Sequence, residues 1–252
     1  MKIIFLGTCH GHPEKNREYT SIAVETCGRV YLFDTGAFVA NKLLDSGLEL
    51  TDLKSVFISH MHGDHVNGIL RLVDIFSWAN RLYDGIAVDY YFPEERGVNE
   101  IKAFCDAVKG PFNEEKNVFH IYPSDFVYDD GYLKVSVIET KHRFDAGFPS
   151  YAFLIEGEGK KVLITGDLSQ DLKYDDFPKA AKSESTDLII CELAHFDFDT
   201  LCPHVMSCKT KMMYITHIKY PDVRIPLIEK ENESGEFPFP IICPSDGDVI
   251  EL

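Results

Sequence analysis

Short apolar runs separated by polar turns dominate the hydrophobic pattern of the chain. The runs are rich in β-branched and aromatic side chains and are too short for helices, which is typical of strands. They predict strands at residues 2–6, 21–25, 30–34, 56–58, 86–91, 118–121, 132–139, 151–156, 161–165, 188–191, 212–216, 241–243 and 248–252. Turn residues at 26–29 and 157–159 predict two β-hairpins.

Three other stretches place their apolar residues at helical spacing. They predict helices at 38–44, 66–77 and 94–108, the first ending at Ser46-Gly47 and the third at Gly110-Pro111. Each half of the chain therefore has strands followed by helix-bearing units. This order favours two β-sheets packed face to face, with helices on the outer faces.

Length and composition are those of an ordinary globular protein. The chain has 252 residues, of which 45% are hydrophobic and 26% charged, and we expect one domain over residues 1–252. No apolar run reaches the ~20 residues that span a bilayer. The first residues resemble a strand rather than a signal peptide. Seven cysteines without a C-x-x-C pair favour free thiols and a cytoplasmic location.

The formal net charge of −16 limits which macromolecules the protein can bind. Such a surface repels the phosphates of nucleic acids, and the sequence has no Lys/Arg-rich run that would compensate. We therefore expect neither a nucleic-acid partner nor a membrane partner.

Chemistry is concentrated in the segment Ser59-His60-Met61-His62-Gly63-Asp64-His65, between a predicted strand and a predicted helix. In extended backbone, alternate residues point the same way, so His60 and His62 can bind one ion together. Gly63 lets the backbone bend, so that Asp64 and His65 can face a second ion. Imidazole and carboxylate are ligands for zinc, iron or manganese.

Three more ligand-type residues follow predicted strands: His142, Asp167 and His217. Taken one at a time, each could equally be an exposed residue without a functional role. Together they can converge on the histidine segment if the strands end at one edge of a sandwich. Cys202 and Cys208 lie near histidines, but buried free thiols are the simpler account of both.

The pattern H-x-H-x-D-H resembles the signature of the metallo-β-lactamase-fold hydrolases, whose fold is a four-layer αββα sandwich. The resemblance implies that His60, His62 and His142 bind a first divalent ion. It implies that Asp64, His65 and His217 bind a second, and that Asp167 bridges the two. Asp34, in Phe33-Asp34-Thr35-Gly36, is similar to an aspartate that orients a ligand imidazole.

Within that superfamily the chain resembles the branch of ribonuclease Z and the cyclic phosphodiesterases. Its opening Leu6-Gly7-Thr8 and the later Glu192-Leu193-Ala194-His195-Phe196 and Tyr214-Ile215-Thr216-His217 segments carry this likeness. The branch has a histidine that stabilises or protonates the leaving group. His204 matches its place best, and His195 is the alternative; Asp64 counts as both a ligand and a catalytic residue.

Two features depart from ribonuclease Z. His204 is followed by Val205-Met206 instead of Ser-Thr, and the interval between His142 and Asp167 holds only a hairpin where ribonuclease Z carries a long tRNA-binding arm. Transfer-RNA processing is therefore not expected.

The resemblance implies a dinuclear metallohydrolase in which two divalent ions, zinc first and manganese or iron as alternatives, share a hydroxide nucleophile. The expected substrate is a small anionic phosphodiester, cyclic or open, and a homodimer is an open alternative to a monomer. A thioester or lactone hydrolase of the same fold is a second hypothesis. A non-catalytic metal-binding protein or a di-iron redox or sensor protein is a third.

Overall fold

Two seven-stranded β-sheets pack face to face in the computed structural model, which describes residues 1–78, 82–109, 113–123 and 125–252. The strands are β1 (Lys2–Gly7), β2 (Ser21–Thr26), β3 (Arg29–Phe33), β4 (Leu53–Phe57), β5 (Val88–Phe92), β6 (Asn117–Ile121), β7 (Val127–Asp129), β8 (Lys134–Glu139), β9 (Tyr151–Gly157), β10 (Lys160–Ile164), β11 (Leu188–Leu193), β12 (Met213–Ile218), β13 (Ile241–Ile242) and β14 (Val249–Glu251).

The helices are α1 (Val39–Asp45), α2 (Gly63–Val66), α3 (Ile69–Trp78), α4 (Glu95–Lys109), α5 (Ala180–Ser183), α6 (Phe198–Val205) and α7 (Pro221–Glu233). Short 3-10 turns occur at Leu50–Asp52, Phe144–Ala146 and Gln170–Leu172. Within the described ranges, no helix is both long and apolar enough to cross a membrane.

The two sheets have matching designs. The first has the order β14-β1-β2-β3-β4-β5-β6, and the second has the order β13-β12-β11-β10-β9-β8-β7. In each sheet one part is antiparallel and the other parallel, with the change at β3 and β10 respectively. The last strand, β14, returns to pair with β1 and so joins the end of the chain to the first sheet.

Three apolar layers hold the sandwich together. Between the sheets, buried aromatic rings pack together: Phe33 stacks on Phe57, and Phe153 meets Phe33 edge-on. Outside the first sheet, α1, α3 and α4 cover a layer that includes Leu72 and Phe76. Outside the second sheet, a layer that includes Leu201 on α6 and Ile228 on α7 is buried. The predicted αββα architecture is therefore confirmed.

Most predicted strands and all three predicted helices are present, with differences at their ends. The helix predicted from residue 66 begins at Ile69 instead. Residues 67–68 form a turn before it, in which the Gly68 N–H donates to the Thr35 carbonyl oxygen at 2.6 Å. A side chain at Gly68 would lie 1.9 Å from the Ala37 carbonyl oxygen, so the turn requires glycine. The predicted end of α4 at Gly110-Pro111 lies outside the described residues.

Several short or irregular elements were not predicted, among them α2, a single turn within the histidine segment. β7 is an edge strand of only three residues, too short to show a strand pattern in the sequence. α5 has only four residues. α6 and α7 contain Pro203 and Pro226, residues that normally argue against a helix interior. Both proline-containing helices are held by burial of one side against the second sheet.

Candidate metal centre

Eight ligand-type side chains converge at one edge of the sandwich, where strands from both sheets end. They form three groups whose ligand atoms lie within 4.8 Å of one another. The groups are His60, His62, His142 and Asp167; Asp64, His65 and His217; and Asp167, His195 and His217. The seven residues predicted as ligands are thus brought together from four strand ends, and His195 joins them.

Asp167 lies at the centre of this cluster. One oxygen of its buried carboxylate, Oδ2, is 3.6 Å from His60 Nε2 and 3.7 Å from His142 Nε2. The same oxygen is 3.4 Å from His65 Nε2 and 3.5 Å from His217 Nε2. A single carboxylate therefore faces both predicted ligand sets, which is the position a bridging ligand requires.

The first ligand set is three histidines around a common point. His62 Nδ1 is 3.0 Å from His60 Nε2 and 3.2 Å from His142 Nε2. In the second set, Asp64 Oδ2 is 3.7 Å from His65 Nε2 and 3.8 Å from His217 Nε2. These spacings leave room for a cation between the atoms of each set.

Hydrogen bonds on the far side of two rings fix which nitrogen carries the proton. The Asp34 carboxylate can only accept, so His65 Nδ1 donates to its Oδ2 at 2.7 Å. The Ser59 hydroxyl donates to the same oxygen at 2.8 Å, and therefore accepts from His60 Nδ1 at 3.0 Å. In both rings Nε2 therefore carries no proton, and its lone pair faces Asp167.

The same logic applies to the remaining two Nε2 ligands. His142 Nδ1 donates to the carbonyl oxygen of Leu168 at 3.2 Å. The Thr20 hydroxyl donates to the Cys9 carbonyl, so it accepts from His217 Nδ1 at 2.6 Å. Four Nε2 lone pairs and a carboxylate thus point at one another.

This donor set fits divalent cations. Converging lone pairs and carboxylates repel one another unless a positive charge lies between them. In the described chain, His65 Nε2 is a buried nitrogen without a hydrogen-bond partner, as expected of an atom placed to bind an ion. Nitrogen and oxygen donors of this type suit zinc, manganese and iron. Cys202 and Cys208 are not in the ligand groups of the described residues.

Backbone strain positions several of these side chains. His217 has a φ of 52° where the register of β11 and β12 shifts, and Asp34 has a φ of 58° just after β3. Both are left-handed conformations that cost free energy and persist where the surroundings hold them. A side chain at Gly166, next to Asp167, would lie 2.4 Å from the Tyr151 carbonyl oxygen.

Burial and neighbouring charges shift the pKa of most of these groups. Burial lowers the pKa of His60, His142 and His217, and lowers that of His62 to about 4. Burial alone would raise the pKa of Asp167, but the surrounding histidines hold it well below its usual value. Neutral imidazoles and an ionised carboxylate are the forms that bind metal ions.

His65 differs from the other ligands. Burial would lower its pKa, but the carboxylates of Asp167 and Asp34 on either side of the ring raise it well above the usual value. The charge that draws a proton to Nε2 would equally draw a divalent cation.

His195 stands beside the cluster and is held by a buried carboxylate. Its Nδ1 donates to Glu192 Oε1 at 2.9 Å, and its ring centroid is 4.4 Å from that of His142. Glu192 also accepts from the backbone of Leu168 and Ala194 at 2.8 Å each, so it cannot easily move. Burial lowers the pKa of His195, but Glu192 and Asp167 outweigh it and raise the pKa to about 9.

His204, the preferred candidate from the sequence, is placed elsewhere. It lies on α6, where its Nδ1 is 3.2 Å from Lys182 Nζ and its ring packs on Phe177 at 4.8 Å between centroids. Within the part of the chain that the structure describes, it belongs to none of the ligand groups. The structure thus brings the alternative, His195, to the cluster and not His204.

Sequence reasoning missed several residues that support the ligands. Ser59 is the first residue of the histidine segment, and Glu192 lies in a segment that carries the resemblance. Both residues are part of the motifs, but the sequence assigns neither a function. Thr20 had no signal, because it lies far along the chain from His217 and its hydroxyl resembles that of any loop threonine.

Comparisons with known proteins agree with this geometry. Ribonuclease Z from Synechocystis is 30% identical over 158 residues, which is 62% of this chain and 46% of that protein. The chain thus spans about half the length of the curated relatives it matches.

Solved structures show the same fold. YhfI from Bacillus subtilis, a metallo-β-lactamase-fold protein, has a TM-score of 0.76 at 19% identity, with 99% of both chains covered. The short form of human tRNase Z has a TM-score of 0.72 at 20% identity and covers 100% of this chain and 99% of its own.

A family model described as Anti-Pycsar protein Apyc1 matches residues 1–235, nearly the whole chain. Together with the metallo-β-lactamase fold and the ligand cluster at its edge, this match shows that the chain belongs to the Anti-Pycsar protein Apyc1 family.

Proposed function

We propose that this protein is a metal-dependent hydrolase that cleaves a small phosphodiester, with cyclic phosphodiesters among the candidates. One observation supports the proposal: two groups of candidate metal ligands face the same Asp167 oxygen, and His195, held by Glu192, lies beside them. Paired metal sites of this kind are used for displacement at phosphorus.

One group of residues would bind the cations, and a second group orients the rings of the first. His60, His62 and His142 would hold one divalent cation, and Asp64, His65 and His217 the other, with Asp167 shared. When bound, the two cations, zinc foremost, supply Lewis acidity for the phosphate oxygens and lower the pKa of the attacking water. Asp34, Ser59, Thr20 and Leu168 keep the ligand rings in the tautomer that leaves the binding nitrogen free.

His195 is our candidate for the proton donor to the leaving oxygen. Glu192 accepts the hydrogen bond from its Nδ1–H, so Nε2 is the ring atom available to a substrate. The ring lies next to His142 and is partly exposed, whereas Asp167 beside it is fully buried. A positioned acid here would act on the leaving group as the bond to phosphorus breaks.

Charge and shape favour a small substrate over RNA. The chain carries a net charge of −16, and the interval between His142 and Asp167 is filled by β9 and β10 with a tight turn between them. A long polyanion would meet a repulsive surface outside the cationic centre. Ribonuclease Z activity on tRNA precursors is the outcome that would refute this part of the proposal.

A substrate panel tests the proposed function. We expect the metal-loaded protein to hydrolyse bis-p-nitrophenyl phosphate and small cyclic phosphodiesters, and to leave a thioester and a lactone largely intact. Chelation of the metal should abolish turnover, and added Zn²⁺ or Mn²⁺ should restore it. Preferential hydrolysis of the thioester or lactone would identify the alternative hydrolase. An inactive protein with a visible di-iron spectrum would identify the redox or sensor alternative.

A further inference from the structure

The loop that joins β1 to β2, residues 8–20, supplies two hydrogen-bond partners of the ligand His217. We call it the β1–β2 loop. The backbone N–H of His217 donates to the Thr8 carbonyl oxygen at 3.0 Å. Its ring Nδ1–H donates to the Thr20 hydroxyl at 2.6 Å, and that hydroxyl donates to the Cys9 carbonyl oxygen at 3.0 Å. The direction of His217 Nε2 therefore depends on where this loop lies.

His217 needs this support because its backbone is strained. It has a φ of 52° and lies between Thr216 and Ile218, where the register of β12 with β11 shifts. The residue is buried, so its N–H would lose an acceptor without gaining water if the Thr8 carbonyl moved away. A displaced loop would thus allow His217 to relax out of its ligand position.

The Asp246 carboxylate holds the β1–β2 loop near both of its ends. Oδ1 accepts from the Thr8 N–H at 3.0 Å and from the Thr8 hydroxyl at 2.7 Å, and Oδ2 accepts from the Glu18 N–H at 2.6 Å. Arg17 Nη1 adds a second link, since it donates to the Thr8 hydroxyl at 2.6 Å and to the Pro244 carbonyl oxygen at 3.1 Å. The Asp246 side chain is only 11% exposed, so water competes little for these hydrogen bonds.

The position of Asp246 is in turn fixed by the first sheet. The Gly247 N–H donates to the Phe5 carbonyl oxygen at 2.7 Å, and the Phe5 N–H donates to the Asp248 carbonyl oxygen at 3.0 Å. β14 then continues the antiparallel pairing with β1. This segment follows residue 235, the last that the family model matches. The carboxylate is therefore attached to the sheet on one side and to the loop on the other.

We propose that Asp246 is a positioning residue of the metal centre: through the β1–β2 loop it holds His217 in the direction that completes the second ligand set. The proposal rests on the ligand sets of the proposed function and adds a residue that determines affinity for the second ion. The effect should be confined to that ion, because the first set is held by other contacts, such as that of His142 with the Leu168 carbonyl oxygen.

Metal binding by an Asp246→Asn variant tests the proposal. The amide keeps the size of the side chain, but its nitrogen cannot accept from the N–H groups of the loop. Competition of the apoprotein with a chromophoric chelator for Zn²⁺ measures both binding steps. We expect the first ion to bind within about twofold of the unchanged protein and the second about tenfold more weakly or worse. An unchanged second step, or equal weakening of both steps, would overturn the proposal.

The same substitution in a His217→Ala background identifies the ion concerned. This background retains the first ligand set and should bind one ion. If Asp246 acts through His217, adding Asp246→Asn should change the affinity for that ion by about twofold or less. A further loss of about tenfold would show that Asp246 supports the protein as a whole, and would contradict a positioning role.

Asp130 at the opposite edge offers a matched control. Its carboxylate accepts from the Tyr132 and Leu133 N–H groups at 3.0 and 2.9 Å and from the Tyr31 hydroxyl at 2.7 Å. Asp130→Asn thus removes hydrogen bonds of the same kind, and we expect a comparable fall in thermal stability with both metal affinities unchanged. An equal loss of second-ion affinity in Asp130→Asn would show that metal binding follows stability alone, and would overturn the proposal.

A milder variant keeps the test decisive if Asp246→Asn does not fold. Thr8→Val removes one hydroxyl that Asp246 accepts from and keeps the carbonyl oxygen that accepts from His217. Affinity for the second ion should fall by about threefold, as expected for one hydrogen bond, with the first ion unaffected. A folded Thr8→Val protein with unchanged second-ion affinity would contradict the proposal.

The measurement uses no substrate, so its outcome is separate from that of the proposed function. If Asp246→Asn weakens only the second ion but the unchanged protein hydrolyses no phosphodiester, the positioning role stands and the proposed function fails. If the unchanged protein is a phosphodiesterase and Asp246→Asn keeps both affinities, the function stands and the positioning role fails.

Discussion

The two edges of the sandwich differ in how their polar groups are arranged. At the edge opposite the ligands, a cavity of about 500 Å³ is lined mainly by charged and small residues of the hairpin turns. Its charges find partners: Lys161 pairs with Glu184 at 2.5 Å, and Lys211 pairs with Asp187 at 2.6 Å. At the ligand edge, buried lone pairs face one another. A cavity alone therefore does not mark the site, whereas convergent unpaired donors do.

Backbone strain differs between the edges in the same way. At the hairpin edge, positive φ falls at Cys27-Gly28 and Glu158-Gly159, where tight turns require it. At the ligand edge it falls on Asp34 and His217, residues whose side chains belong to the centre. At the hairpin edge the strained residues reverse the direction of the chain. At the ligand edge they set the direction of side chains in the centre.

The largest effect should come from the carboxylate between the two ligand sets. Asp167→Asn keeps the size of the side chain but removes the charge that faces four Nε2 atoms. We expect turnover to fall by about three orders of magnitude or more, with weaker retention of one ion especially. Kinetics together with elemental analysis check this, and near-normal turnover would remove Asp167 from the centre.

A smaller effect should separate the two candidate proton donors. His195→Ala should lower kcat by about 10²–10⁴-fold on diesters with alkyl leaving groups, and less on p-nitrophenyl diesters, which need little protonation. Both ions should remain bound, because the ring is not in either set of proposed ligands.

His204→Ala is the matched control for this prediction. It should change kcat on either substrate by about threefold or less, since its ring contacts Phe177 and Lys182. The reverse result, a large loss for His204→Ala alone, would restore the assignment made from the sequence.

Loss of an orienting contact should have a moderate effect. Asp34→Asn removes the carboxylate that fixes His65 Nδ1–H, and we expect metal affinity to fall by about 10–100-fold. Competition with a chromophoric chelator measures this affinity. Unchanged affinity would show that the His65 tautomer does not depend on Asp34.

The smallest effect should come from a substitution at the hairpin edge, opposite the ligands. Lys211→Ala breaks an ion pair whose lysine is 69% exposed, and such pairs contribute about 0–1 kcal/mol to stability. Metal content and turnover should match those of the unchanged protein. A marked loss of either would show that the two edges are coupled and would weaken the comparison.

The sequence predicted the fold and the side chains that converge at one edge for the same physical reason. Strand-forming runs can be recognised from neighbouring residues alone. His142 and Asp167 stand out in the same way, because each is a polar residue of a metal-ligand type that follows an apolar run. Partners across the chain, such as Thr20 with His217, depend on tertiary contacts that no local pattern reveals. The sequence favoured His204 over His195 because order along the chain does not tell that His204 falls on α6, away from the cluster, while His195 lies beside it.

A metal titration of the apoprotein, followed by hydrolysis of a phosphodiester, tests the central claim most directly. Two ligand sets that share Asp167 predict that activity rises until two equivalents of Zn²⁺ or Mn²⁺ per chain are bound, and then levels off. Saturation at one equivalent, or no hydrolysis of phosphodiesters at any metal content, would contradict the account.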